Sequence, residues 1–171
     1  MSVYDHSAYG AEQDYRKVRR TDLRDGALAG LLAGGALIIF IFSYDVLSFT
    51  PLATPDFLSS RVFGGGDLSA GTEARLRSAR IAAFTILHLV TFAFLGVLFA
   101  RFLRFAQLRK TLLVGVLYGL IVCTAVFAAG MHLTGAEMAT EPGWPGLLMG
   151  NFSAGLVMVV YLRRAQGVAS S

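Results

Sequence analysis

Four ionisable residues could carry chemistry in this otherwise apolar chain: Asp45, His88, His132 and Glu137. Neutral imidazoles are good ligands for haem iron and divalent metals, and carboxylates can complete a metal site or a proton path. One interpretation is therefore a haem, metal or proton-coupled site built from these four residues. No HxxxH, HExxH or ExxH spacing supports it. The alternative is that His88 hydrogen-bonds a neighbouring helix, His132 lies in water and both acids are loop charges.

Four stretches of the chain are apolar enough to cross a membrane, and the positions of these residues are described relative to them. They are Gly26–Tyr44, Ile81–Ala100, Thr111–Met131 and Trp144–Leu162, with 19 to 21 residues each, and His88 is the one Asp, Glu, Lys, Arg or His residue among them. About 20 apolar residues in a helix cross the hydrocarbon core of a bilayer. The sequence predicts an all-α membrane protein with four transmembrane helices, at about 26–46, 78–103, 111–132 and 144–163.

The composition excludes other classes of protein. Of the 171 residues, 55% are hydrophobic, which is too apolar for an ordinary soluble domain. The net charge is +4, and the Lys and Arg residues lie beside the ends of the spans rather than in a basic stripe. Nucleic acid is therefore not expected as a partner. Cys123 is the single cysteine and lies inside a span, where a small buried apolar residue is expected.

The distribution of Lys and Arg predicts the orientation. With both termini in the cytoplasm, eleven of these residues lie inside and four outside, as the positive-inside rule requires. The outer residues Arg75, Arg77 and Arg80 run against the rule. They share a loop with Asp56, so local ion pairing is expected to mask them.

The regions outside the spans are predicted to be tails and loops. Residues 1–25 are polar without apolar periodicity and predict a flexible cytoplasmic tail; alternatively, their basic cluster docks on a partner or on anionic headgroups. Residues 165–171 form a second short tail. Met1–Arg24 lacks the features of a cleavable signal, so the first span is expected to be a retained anchor. The predicted location is the inner, or plasma, membrane of a bacterium.

One loop contains a further predicted helix. Pro55–Phe63 has an apolar side, including Phe57 and Phe63, and predicts a short amphipathic helix in the outer interface. Trp144 stands at the start of the last span, where interfacial aromatic residues are common. We expect Phe57, Phe63 and Trp144 to anchor the protein at the membrane surface.

Glycines at a spacing of four predict close helix packing. Gly30 and Gly34 lie in the first span, and Gly115 and Gly119 lie in the third. Such pairs let two helix backbones approach closely in lipid. Whether the partner is another helix of the chain or a second subunit stays open.

The same glycines suggest that the chain contains two related halves. Gly30 and Gly34 align with Gly115 and Gly119, and the second and fourth spans align through Leu103-Arg104 and Leu162-Arg163. This alignment predicts a parallel two-helix repeat about the membrane normal. Asp45 and His132 would then occupy related outer positions.

The order of these features resembles a diffuse group of small bacterial four-helix inner-membrane proteins of unknown function. The residues that carry the resemblance lie in roughly the first 100 positions: Gly26-xxx-Gly30, Asp45, Thr54-Pro55-xx-Leu58 with Phe63-Gly64, and Thr85-xx-His88-xxx-Phe92-xxx-Gly96. The resemblance implies the four-helix topology and no particular activity.

Three functional classes follow from the sequence. The first is a non-catalytic accessory or structural subunit of a larger bacterial membrane complex, with lipid and other subunits or further copies of itself as partners. The second is a redox component that binds haem b or a divalent metal through His88 and His132. The third is a small oligomeric transporter or channel. No GxSxG, Walker or dinucleotide-binding motif occurs, so catalysis and a cofactor are not expected in the first class.

Overall fold

The computed structural model describes residues 6–64, 70–106, 112–134 and 143–168, and within these ranges the chain is helical with no strand. Six α-helices and one π-helical turn follow one another within these ranges. They are α1 (His6–Leu47), α2 (Ala53–Phe63), α3 (Ala70–Phe105), α4 (Leu112–Tyr118), the π turn (Gly119–Cys123), α5 (Thr124–Leu133) and α6 (Gly143–Val168).

Four helical stretches are long and apolar enough to cross a membrane, as the sequence predicts. They are Leu23–Leu47, Ala74–Phe105, Leu112–Leu133 and Gly143–Ala165. The third stretch is α4, the π turn and α5 in continuous succession. Helix α2 connects the first two stretches and defines one end of the bundle, which we call the α2 end.

Helix α1 extends well beyond the first predicted span. It begins at His6, in the part of the chain for which the sequence predicts a flexible tail. The residues there include Ala11, Glu12, Gln13, Arg16 and Lys17, all of which have good helix propensity. A helix that has already formed in the apolar segment extends at low cost, because propagation needs no new nucleus.

The helices pack in the order α3, α1, α6 and α4 with the π turn. Small residues of α1, including Ala29 and Ala33, are fully buried against large side chains such as Phe99 and Met158. The two outer members of this row, α3 and α4, are bridged by Tyr118. Its hydroxyl donates a hydrogen bond to the Leu95 carbonyl at 2.8 Å.

Glycines bring the helices together in two equivalent pairs. A Cβ on Gly96 of α3 would overlap the Gly26 carbonyl oxygen and the Gly30 backbone of α1. A Cβ on Gly155 of α6 would likewise overlap the Gly115 carbonyl oxygen and the Gly119 backbone of α4 and the π turn. The partner of each glycine pair is therefore another helix of the same chain.

This geometry changes the correspondence between the two halves. Gly26 and Gly30, rather than Gly30 and Gly34, are the counterparts of Gly115 and Gly119. A Cβ on Gly34 would instead lie 3.0 Å from the Phe92 Cβ, which is a contact with a side chain. With this register, the residue that corresponds to Asp45 is Thr134 rather than His132.

Candidate functional site

The end of α1 is joined to the start of α2 by Asp45 and Thr54. The Asp45 side chain is 2% exposed. Its Oδ2 accepts a hydrogen bond from the Thr54 backbone N–H at 2.9 Å, and its Oδ1 accepts one from the Thr54 hydroxyl at 2.6 Å. The first amides of a helix have no partner within the helix, and Leu52 before α2 supplies no side-chain cap. Asp45 therefore caps α2 from the preceding helix.

Two arginines of α3 hold the other parts of α2. Arg77 Nε lies 3.0 Å from Asp56 Oδ2, and Arg80 Nη1 donates to the Gly64 carbonyl at 3.1 Å. Both arginines belong to the trio that runs against the positive-inside rule. The contact of Arg77 with Asp56 is an ion pair of the kind that the sequence suggested for this loop, whereas Arg80 binds a backbone carbonyl.

A cavity of about 480 Å³ lies at the α2 end, between α2 and the helices of the bundle. Most of its lining is aliphatic or aromatic. The polar side chains that line it are Thr54, Arg61, Thr85, His88, Thr91, Cys123, Thr134 and Asn151. Volumes of roughly 300–1,000 Å³ are typical of small-molecule sites.

His88 presents an unsatisfied nitrogen in the wall of this cavity. Its Nε2 is buried and has no hydrogen-bond partner among the described residues. The ring lies beside the backbone of Gly34, and its centroid lies 6.3 Å from that of Phe84 and 4.7 Å from that of Phe92. An imidazole with one unsatisfied buried nitrogen is thus placed among aromatic rings.

Thr85 and Thr91 of α3, three residues before and three residues after His88, also line the cavity. The Thr85 hydroxyl donates to the Ile81 carbonyl and the Thr91 hydroxyl donates to the Leu87 carbonyl, both at 2.8 Å. Their protons are therefore engaged within α3. Among the described lining residues, His88 Nε2 is the one buried polar side-chain atom without a partner.

The four residues that suggested a haem or metal site have different surroundings. His88 lines the cavity, and Asp45 is buried against Thr54. His132 is exposed near the end of α5 and is not part of the lining. Glu137 lies outside the described residues. Within those residues, no group of three His, Cys, Asp or Glu side chains is close enough to hold a metal.

Two buried polar contacts were not anticipated from the sequence. Asn151 of α6 is 2% exposed, and its Nδ2 donates to the Thr124 hydroxyl at 3.0 Å. The centroid of the Tyr118 ring lies 4.4 Å from that of Phe99. The hydroxyl of the same ring donates the hydrogen bond to the Leu95 carbonyl described before. The signal for Asn151 was its place inside an apolar span, since polar side chains there usually face another helix.

Four helices with the length and composition of membrane spans define the class of the chain as a candidate polytopic helical membrane protein. An apolar cavity at one end distinguishes its bundle. No family model matches the chain, nor does any curated protein or solved structure.

Proposed function

We propose that this chain is a non-catalytic integral membrane protein that acts as an accessory or structural subunit of a larger membrane complex. The observation that carries the proposal is the way its buried polar groups are used. Asp45 binds Thr54, Asn151 binds Thr124, and the Tyr118 hydroxyl binds a backbone carbonyl. These contacts stabilise the bundle and engage the groups that a reaction would require.

The proposed setting is the bacterial inner membrane, with both termini in the cytoplasm. Support comes from the eleven Lys and Arg residues on the inner side against four outside. In this orientation α2 lies at the outer surface. Leu58 and Ser59 of α2 are buried, whereas Phe63 is 48% exposed and Trp144 is 51% exposed, as amphipathic anchors at an interface would be.

We also infer that the two helix pairs arose from a parallel duplication. The support is geometric, because Gly96 meets Gly26 and Gly30 in the same way as Gly155 meets Gly115 and Gly119. The π turn is present in the second pair, whereas α1 is a continuous α-helix. The two pairs would therefore have diverged next to the cavity.

A haem- or metal-binding redox component is the second candidate. The free Nε2 of His88 favours it, because a neutral imidazole nitrogen is a common ligand of haem iron and divalent metals. A second histidine ligand would have to come from outside the lining described above. His132 is exposed, so its recruitment would require α5 to turn toward the cavity.

The test is purification from native membranes in mild detergent, followed by an absorption spectrum and mass spectrometry of the copurifying proteins. Stoichiometric partner subunits and a colourless preparation would support the accessory role. A Soret band or bound metal that disappears in His88→Leu would support the redox role instead. A lone colourless oligomer would contradict both, and flux of solutes into liposomes would then test the transporter or channel hypothesis.

A further inference from the structure

We propose that the cavity at the α2 end binds one membrane-soluble molecule that carries a hydroxyl group, and that this group donates a hydrogen bond to Nε2 of His88. The inference concerns a ligand site and does not depend on the subunit role. It rests on four features of the cavity: the free nitrogen, the apolar lining, the volume and the position of the mouth.

The position of the proton on His88 decides what its free nitrogen can do. The ring lies beside the backbone of Gly34, and Nε2 is the nitrogen without a partner among the described residues. We assign the proton of the neutral imidazole to Nδ1, where the Gly34 backbone can accept it, which leaves a lone pair on Nε2. A ligand that complements Nε2 must supply an O–H or N–H donor.

The surroundings of His88 favour a largely apolar ligand over water. An ordered water needs two to four polar partners. The hydroxyl protons of Thr85 and Thr91 are already engaged within α3. Phe84 and Phe92 flank the imidazole. The cavity beside His88 thus offers acceptors and aromatic rings, and a molecule with one donor on an apolar body matches both.

The size of the cavity limits the bound part of the ligand. A volume of about 480 Å³ corresponds to about 16 methylene-sized groups, taking roughly 30 Å³ for each, the share of one water in the liquid. A substituted ring or a chain of intermediate length fits this space. Phe42, Phe84, Phe92 and Phe127 all line it, and aromatic walls suit a ring as well as a chain.

The mouth of the cavity points to the bilayer as the source of the ligand. Leu87 of α3 is 46% exposed, and Val126 and Leu133 of α5 are 40% and 85% exposed, yet all three line the cavity. All three lie within candidate membrane spans. A tail longer than the cavity can thus leave past these side chains into lipid.

The test compares matched ligands in which a methyl group replaces the hydroxyl proton. The protein is reconstituted in phosphatidylcholine nanodiscs, and its unfolding temperature is measured against the concentration of each ligand, which yields an apparent Kd. The first pair is 4-nonylphenol and its methyl ether, and the second is dodecanol and 1-methoxydodecane. We expect one hydroxyl compound to bind roughly 3- to 10-fold more tightly than its ether. The pair that responds distinguishes a ring from a linear ligand.

Variants of His88 identify the acceptor. In His88→Leu the affinity for the hydroxyl compound should fall to that of the ether, while the affinity for the ether stays the same and shows that the cavity is intact. His88→Gln keeps an acceptor oxygen and should restore part of the difference. Equal binding of alcohol and ether by the native protein, or an unchanged difference in His88→Leu, would overturn the proposal.

A second pair of variants tests the cavity itself. Gly130 lines the cavity, and a Cβ there would meet no atom within 4 Å, so the side chain of Gly130→Phe can begin without a clash and take up cavity volume. We expect at least a tenfold loss of affinity for both members of the responding pair. Gly35 is also free of atoms within 4 Å but does not line the cavity, and Gly35→Phe should bind normally. Normal binding by Gly130→Phe would overturn the proposed site.

Discussion

Asp45 and Thr54 are nine residues apart, and one buried carboxylate accepts both the backbone and the hydroxyl hydrogen bonds of Thr54. Between them the chain turns sharply, with Phe49 at φ 57° and Leu52 at φ 68°. Such left-handed conformations cost about 1–2 kcal/mol for residues with a Cβ. The two hydrogen bonds help to hold this turn and fix α2 over the cavity.

Replacement of Asp45 by alanine should destabilise the protein by about 3 kcal/mol. The substitution leaves the N–H and hydroxyl of Thr54 buried without an acceptor, and each buried unsatisfied group costs about 1–3 kcal/mol. The free energy of unfolding can be measured by titration with sodium dodecyl sulfate in mixed micelles. Asp56→Ala is the matched control, because its ion pair with Arg77 is partly exposed and should contribute less than about 1 kcal/mol. Equal losses for the two variants would refute the capping role of Asp45.

Alanine at Gly96 or Gly155 should destabilise the bundle by about 1–3 kcal/mol, which is typical of overpacking. In both cases the added methyl group would overlap the backbone of the facing helix, which cannot move as a side chain can. Gly35→Ala is the control, because no atom lies within 4 Å of its Cβ, and alanine is preferred to glycine in a helix. Thermal unfolding in mild detergent would measure all three.

The same measurement distinguishes two glycines of α1. A Cβ on Gly30 would overlap the Phe92 carbonyl, whereas a Cβ on Gly34 meets the Phe92 side chain at 3.0 Å. Gly30→Ala should therefore lower the unfolding temperature more than Gly34→Ala. The reverse order would contradict the register described above and favour the one expected from the sequence.

Tyr118→Phe should destabilise the protein by about 1 kcal/mol, the usual net value of a single hydrogen bond. The substitution removes the bond to the Leu95 carbonyl and preserves the stacking on Phe99. Tyr161→Phe is a suitable control, because Tyr161 is only partly buried against the core. A loss for Tyr118→Phe no larger than that of the control would show that this bond contributes nothing to the association of α3 with α4.

The proposed orientation predicts the accessibility of new cysteines. In a Cys123→Ala background, Ala74→Cys at the α2 end should react with a membrane-impermeant thiol reagent in intact cells. Ala106→Cys, at the opposite end of α3, should react only after the cells are opened. Both alanines are exposed, so a difference reports the side of the membrane rather than burial. The reverse pattern of labelling would place the termini outside.

The sequence alone was sufficient to locate the four apolar helices. Hydropathy and length are local properties of a segment. Proline and glycine residues likewise lie within a few residues of the helix ends that they cause. The glycines that permit close packing were also visible, because small residues at a spacing of four mark one face of a helix. The sequence did not show which helix these glycines contact, since any of several helices could have packed against that face.

Tertiary structure decided which residues meet. Gly96 contacts Gly26 and Gly30 because α3 packs directly against α1, and this pairing set the register of the two halves. The sequence grouped Asp45, His88 and His132 because all three are ionisable, but residue type does not specify the direction of a side chain. The order of the helices turned Asp45 toward Thr54, left His132 exposed and placed the imidazole of His88 in the wall of a cavity formed by distant segments.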